Sequence, residues 1–215
     1  MRMKVLLTAF DPFGGESINP AQEAVKLIPE QIGQVDIVKC YVPTVFGKSV
    51  ETVADAISRH LPDAVLCVGQ AGGRPLLTLE RVAINLDDAP IPDNAGNKPV
   101  DRAICTDGKN AYFSTLPVKA MAAAIREAGI PATISYTAGT FVCNHLMYGV
   151  LYTLENKYPG VRGGFMHVPF IPDQVKAGIE IPSMPLQDIV KGIEIAIAAI
   201  ENNKTDISVS EGKTH

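Results

Sequence analysis

The chain has 215 residues, of which 47% are apolar and 20% charged, and its net charge is −4. That apolar content excludes a disordered chain, and the acidic balance argues against nucleic-acid binding. The length suits one α/β domain. No stretch reaches the roughly 20 apolar residues of a membrane span; the best, residues 193–200, is short and contains Glu194.

Arg2 and Lys4 followed by residues 5–10 imitate a signal peptide, but the apolar part is shorter than the usual h-region. Met3–Phe10 therefore reads as a buried first strand running into Asp11-Pro12-Phe13-Gly14-Gly15. Asn19-Pro20 reads as an N-cap with Pro at the first helical position, opening a helix that Pro29 stops. Val35–Val42 reads as a second strand, and residues 47–61 as a helix with Val50, Val53, Ala54 and Ile57 on one face. Residues 64–68 form a buried strand that ends in a glycine loop, residues 69–74. Residues 76–86 read as one strand, and residues 87–108 as a turn-rich stretch.

Residues 117–128 read as a helix closed by Gly129, and 132–137 as a strand. A turn at 138–140 leads into a helix over 142–158, a strand over 163–168 and an amphipathic helix over 186–200. Strands alternating with helices imply βαβ units and a mostly parallel sheet covered on both faces. The expected organisation is one domain over residues 1–202, followed by a polar, frayed tail over 203–215.

In open α/β sheets, ligands bind beyond the carboxyl ends of the strands. Cys143 opens a helix, where unpaired N–H groups and the dipole favour thiolate, the reactive form. His167 ends a strand, where it can serve as a general base near neutral pH. Glu80 sits within an apolar run and needs a partner. Arg81 is adjacent, but neighbouring strand residues point to opposite faces. A Cys nucleophile, a His base and an orienting carboxylate from three separate elements match the logic of a catalytic triad.

The remaining candidates are weaker. Cys40 and Cys67 lie in apolar strands as inert core, and Cys105 lies in a turn-rich loop. His60 is on a helix surface, His145 lies inside the helix of Cys143, and His215 is terminal. The glycine loop fits neither dinucleotide nor P-loop phosphate patterns. No Cys/His cluster has zinc spacing, so neither metal nor cofactor is expected. Four widely spaced cysteines without CxxC argue against a disulfide framework and for a cytoplasmic location.

Five motifs occur in order: Phe10-Asp11-Pro12-Phe13-Gly14-Gly15, Leu79-Glu80-Arg81-Val82-Ala83-Ile84-Asn85, Ile91-Pro92-Asp93-Asn94, Gly139-Thr140-Phe141-Val142-Cys143-Asn144 and His167-Val168-Pro169. Over residues 4–200 the chain resembles the pyrrolidone-carboxylate (pyroglutamyl) peptidase I family of cysteine peptidases. The resemblance implies an α/β/α sandwich, no cofactor, a homotetramer, and removal of N-terminal pyroglutamate from peptides. It assigns Cys143 as nucleophile, His167 as base and Glu80 as orienting carboxylate. One departure is Pro90, where relatives usually carry Arg, so no role of that Arg transfers.

A neutral lactam calls for an apolar slot with a few hydrogen-bonding groups. Phe10, Phe13, Phe141 and Val142 are its candidate walls, and Asn19 and Gln70 its candidate polar contacts. Residues 87–108 and the helix over 186–200 are candidate surfaces for self-association. The competing readings are a nucleoside phosphorylase-like enzyme, which would need phosphate, and a non-catalytic ligand-binding domain, which would leave Cys143 unreactive.

Overall fold

The computed structural model describes residues 2–175 and 178–212. In chain order the elements are β1 (Met3–Phe10), α1 (Pro20–Leu27), β2 (Gln31–Ile32), β3 (Val35–Val42), α2 (Lys48–His60) and β4 (Ala64–Gln70). Next come β5 (Leu77–Glu80), β6 (Val82–Ile84), β7 (Ala111–Phe113), α3 (Val118–Glu127), β8 (Ala132–Ser135), α4 (Val142–Lys157), β9 (Arg162–Val168) and α5 (Leu186–Asn202).

Seven strands form one sheet in the order β2-β3-β1-β4-β9-β5-β8. The pairs β1–β3, β1–β4, β4–β9 and β5–β8 are parallel, while β2–β3 and β5–β9 are antiparallel. Strands buried on both faces read as continuous apolar runs, as in β4, whose first six residues are all buried. On one face α1, α3 and α5 pack in a core that includes Val25, Met121, Ile125, Ile193 and Ile197. On the other, α2 and α4 pack around Leu6, Ile57, Leu146, Tyr148 and Phe165. The result is an α/β/α sandwich with a mostly parallel sheet.

Asn19 caps α1 as its sequence implies, its side chain accepting from the Ala21 N–H at 3.0 Å. The inward face of α2 carries Val53, Ala56 and Ile57, so Ala56 takes the buried place expected of Ala54, which is only half-buried. The apolar stripe of α5 is spent inside the molecule: Ile189, Ile193, Ile197 and Ile200 are all fully buried. That face is therefore not free for self-association.

Residues 76–86 are not one strand. Arg81 donates its N–H to Ser135 O (2.8 Å), continuing the main sheet, but its carbonyl accepts from Ser114 N (2.9 Å). Val82–Ile84 then pairs with Ala111–Phe113 in a separate antiparallel hairpin. The unbroken apolar composition hides this change of sheet.

The tail is not frayed over residues 203–212. Asp206 accepts from the N–H groups of Lys119 and Ala120 at the start of α3 (3.1 and 3.0 Å), which α3 does not cap with a side chain of its own. Lys119 Nζ donates to Val209 O, and Arg126 pairs with Glu211. A polar segment thus supplies the acceptors a helix N-terminus lacks. His215 lies outside the described residues.

Candidate active site

The site lies on the α2/α4 face, where β4, β9 and β5 run side by side. Alternation along β9 sends Phe165 and His167 to that face. Because β5 runs against β9, Thr78 opposes His167 and Glu80 opposes Phe165. Glu80 therefore sits diagonally from His167, and its Oε1 lies 2.7 Å from His167 Nδ1. Both residues are buried, Glu80 completely.

Cys143 reaches this place from α4. Gly69 on β4 is the register partner of His167. A Cβ on Gly69 would lie 2.7 Å from the Phe165 ring and 3.0 Å from Cys143 Sγ, so only glycine lets the helix approach the sheet this closely. The sulfur packs on the residue beside His167. Sequence spacing carries no sign of this approach; it becomes visible only once the register is known.

The nucleophile loop is held from several sides. Thr140 Oγ1 donates to Asp88 O (2.7 Å), while Asp88 N–H donates to Thr140 O (3.0 Å). Asn144, fully buried, accepts from Ile84 N–H and donates to Ile84 O and Leu86 O. The N–H groups of Val142, Cys143 and Asn144 have no acceptor among the described residues, and no side chain caps the helix. A row of unused donors beside a thiol is suited to a developing oxyanion.

Two members of the proposed triad show clear electrostatic shifts. Burial pushes the Cys143 thiol up to about 12, and the Glu80 charge adds to this; the cation of Arg74 only partly opposes it. Burial thus works against the helix N-terminus, which favours the thiolate. Burial would also raise the Glu80 carboxyl, but the hydrogen bond and charge of His167, helped by Arg74, outweigh it and hold it below the usual range. An ionised Glu80 assigns the ring proton of His167 to Nδ1 and leaves Nε2 to accept.

The other sequence candidates divide. Phe13 and Phe141 lie 6.1 Å apart, and Phe46, which the sequence reading passed over, meets Phe141 edge-on at 5.5 Å. Gln70 Oε1 accepts from Gln174 Nε2 (3.0 Å), leaving the Gln70 amide donors for other partners. Phe10 is 2% exposed and stacks on Phe165 at 6.4 Å as core. Val142 is fully buried. Asn19 is also fully buried, and both ends of its amide are engaged: Oδ1 caps α1 and Nδ2 donates to Asp11 O. Asn19 is thereby a structural residue and not a free lactam contact.

Arg74 was not anticipated. Its Nη1 lies 2.7 Å from both Thr78 Oγ1 and Glu80 Oε1, so Arg74, not Arg81, is the cation paired with Glu80. Arg81 lies over the Phe113 ring, 5.2 Å from its centre. The only available signal was an arginine closing the glycine loop six residues before Glu80. A second buried pair also went unforeseen: His145 Nδ1 lies 2.9 Å from Asp87 Oδ1, and His145 Nε2 accepts from the Gly47 N–H at 2.8 Å. Among the described residues no cluster of three or more His, Cys, Asp or Glu could hold a metal ion, and no helix is long and apolar enough to cross a membrane.

In sequence and fold the chain is similar to known proteins. The profile of a family described as Pyroglutamyl peptidase matches residues 3–203. A pyrrolidone-carboxylate peptidase of Clostridium botulinum is 56% identical over 211 residues, covering 98% of this chain and 99% of its own. The crystal structure of pyroglutamyl peptidase I from Bacillus amyloliquefaciens superposes with a TM-score of 0.95 at 50% identity, covering 98% of this chain and 100% of its own. Pyrrolidone carboxyl peptidase from Thermococcus litoralis does so with a TM-score of 0.92 at 37% identity, over 98% and 100%. On the match to nearly the whole length and these identities, the chain belongs to the pyroglutamyl peptidase family.

Proposed function

We propose that the protein is a cysteine peptidase that hydrolyses the bond after an N-terminal pyroglutamyl residue, with Cys143 as nucleophile, His167 as base and Glu80 as the carboxylate that orients it. The observation that carries this reading is the 2.7 Å Glu80–His167 pair beside a helix-start thiol packed on Gly69, the register partner of His167. Family membership supplies the substrate class.

The chemistry runs in two halves. His167 Nε2 takes the thiol proton as Sγ attacks the carbonyl carbon, and the N–H groups at the start of α4 stabilise the oxyanion. The tetrahedral species collapses to a thioester, the imidazolium gives its proton to the leaving amine, and Glu80 stabilises the charge on the ring meanwhile. Water, deprotonated by His167, then hydrolyses the thioester to release pyroglutamate.

Selection of the lactam is assigned to the aromatic group of Phe13, Phe46 and Phe141, with the free amide donors of Gln70 reaching the ring carbonyl. An open-chain glutaminyl or glutamyl terminus brings an ammonium that such a slot leaves desolvated and unpaired. Cleavage of a pyroglutamyl chromogenic amide should exceed that of the glutaminyl and glutamyl amides at least ~100-fold, and iodoacetamide should abolish it. Comparable rates on the open-chain amides, or full activity after alkylation of Cys143, would refute the reading.

Self-association into a homotetramer is proposed with the same activity. Its support is the exposure of Val100 and Ile91 in the 87–108 stretch and of Phe113 on the β6–β7 hairpin. Light scattering at micromolar concentration should give about four subunit masses, and one subunit mass would overturn it. A cytoplasmic site is proposed from four free cysteines, Cys40, Cys67, Cys105 and Cys143.

A further inference from the structure

We propose that Arg74 is a positioning residue for the reaction: one guanidinium fixes the Glu80 carboxylate, the strand opposite His167 and the loop that leads to Cys143. The inference rests on the Cys143–His167–Glu80 reading above.

Arg74 reaches three elements. Its Nη1 donates to Glu80 Oε1 and to Thr78 Oγ1, both at 2.7 Å, and Thr78 is the residue directly opposite His167 on the neighbouring strand. Its Nη2 donates to Thr137 O (3.2 Å), in the segment between β8 and α4. The arginine itself stands in the loop after β4, where its N–H closes a turn on Ala71 O. The side chain is 30% exposed, so it closes the rim over a carboxylate that is fully buried.

The need for such a clamp follows from the other oxygen of Glu80. Oε2 is buried without a hydrogen-bond partner, and Ser135, across on β8, turns its hydroxyl to Thr137 O at 3.1 Å. Rotation about the last bond of a glutamate is soft. A carboxylate held at only one oxygen by the imidazole would let the ring swing with it. Arg74 grips that same Oε1 from a second direction and leaves it one orientation. Lysine, a point charge without a planar fork, could restore the charge but not the simultaneous bonds to Glu80, Thr78 and Thr137.

His167 pairs with Glu80 on β5, which Arg74 also holds, and the Cys143 thiol on α4 feels the charges of both Glu80 and Arg74 and the nearby Cys67 thiol of β4. Removing the cation leaves Glu80 to stabilise the His167 imidazolium unopposed. The free base is then lost at a higher pH, and the acid limb of kcat/KM moves up.

The test compares wild type with Arg74→Met, Arg74→Lys, Glu80→Gln and the Arg74→Met/Glu80→Gln double variant. Each is assayed on a pyroglutamyl chromogenic amide and normalised to folded protein by thermal unfolding. For Arg74→Met, kcat should fall about 10- to 100-fold, the cost of a small misplacement of reacting groups, with KM within about threefold. Its acid limb should shift up by about one pH unit. Arg74→Lys should recover the limb but only part of kcat. The double variant should match Glu80→Gln within about threefold, because Arg74 acts through Glu80. Losses that multiply in the double variant, or a lowered melting temperature with normal kcat and an unmoved limb, would overturn the role. A loss in Glu80→Gln with none in Arg74→Met overturns Arg74 alone and leaves the triad standing. No loss in Glu80→Gln overturns both.

Discussion

Two histidine–carboxylate–arginine groups flank the start of α4, and they differ in one partner. His167 Nδ1 pairs with Glu80 at 2.7 Å, and Arg74 joins at 2.7 Å. His145 Nδ1 pairs with Asp87 at 2.9 Å, and Arg102 stands 3.5 Å away. Both carboxylates are fully buried. In the second group, however, Nε2 already accepts the Gly47 N–H, whereas Nε2 of His167 has no partner among the described residues. A ring with both nitrogens satisfied is a latch between α4, the start of α2 and the 87–108 stretch. A ring with one nitrogen free beside a thiol is a base. The same pair of residue types thus yields structure or chemistry according to what occupies the far nitrogen, and a buried His–Asp contact alone is no mark of catalysis.

Exchanging the two histidines for alanine tests this contrast hardest. His167→Ala should lower kcat per folded molecule at least ~10³-fold, the scale of losing a triad member. His145→Ala strands the buried Asp87 charge and the Gly47 N–H, which costs about 3–5 kcal/mol, read by urea unfolding. Its kcat per folded molecule should stay within about tenfold of wild type. Equal kinetic losses in the two variants would erase the distinction.

The carboxylates sharpen it at smaller amplitude. Glu80→Gln should lower kcat about 10- to 1,000-fold, less than the roughly 10⁴-fold of a serine triad because thiols depend less on their base. Asp87→Asn keeps an acceptor for His145 and removes a buried charge, so it should change stability by about 1–3 kcal/mol and kcat by a few-fold at most. A normal kcat in folded Glu80→Gln would remove Glu80 from the reaction.

Much of this contrast was invisible in the sequence. Elements with local signals were legible: Asn19-Pro20 before α1, Gly129 after α3 and the apolar stripe of α5 rest on neighbouring residues alone. The resemblance in motifs singled out Cys143, His167 and Glu80. The His145–Asp87 contact spans 58 positions and the Arg74–Glu80 pair depends on where a glycine loop folds back, so neither leaves a pattern along the chain. The break at Arg81 was hidden because apolar residues continue through it into Val82–Ile84, whose three-residue partner strand lies about 30 positions further on. Asn19 fits two patterns in the sequence, an N-cap and a lactam contact, and burial leaves its amide no free end for the second. The polar composition of residues 203–212 looks like a disordered tail, yet its acceptors complete α3.

Two effects of pH and backbone come last in size. The Glu80 and Asp93 carboxyls both sit below their usual range: burial opposes this, but His167 and Arg74 outweigh it at Glu80, and Asn97 with the N–H groups of Phe46, Asn97 and Ala95 at Asp93. Each therefore contributes stability that is complete above the unfolded value of about 4 and lost as pH falls through the lower folded value. Urea unfolding between pH 7 and 3 should show this slope, and Glu80→Gln should flatten part of it; an unchanged slope would contradict the Glu80 pairing. Gly47 donates the latch hydrogen bond at φ 72°, so Gly47→Ala should cost about 1 kcal/mol with kcat unchanged.

The most direct measurement is turnover of a pyroglutamyl chromogenic amide by Cys143→Ala, set beside wild type at equal folded concentration. In the proposed reaction the attacking group is the Cys143 thiol, packed on Gly69 beside His167. Amine release should fall at least ~10³-fold while the unfolding midpoint stays within the error of wild type. Substantial turnover by the alanine variant, with the fold intact, would contradict the assignment of Cys143 and with it the reaction through a thioester.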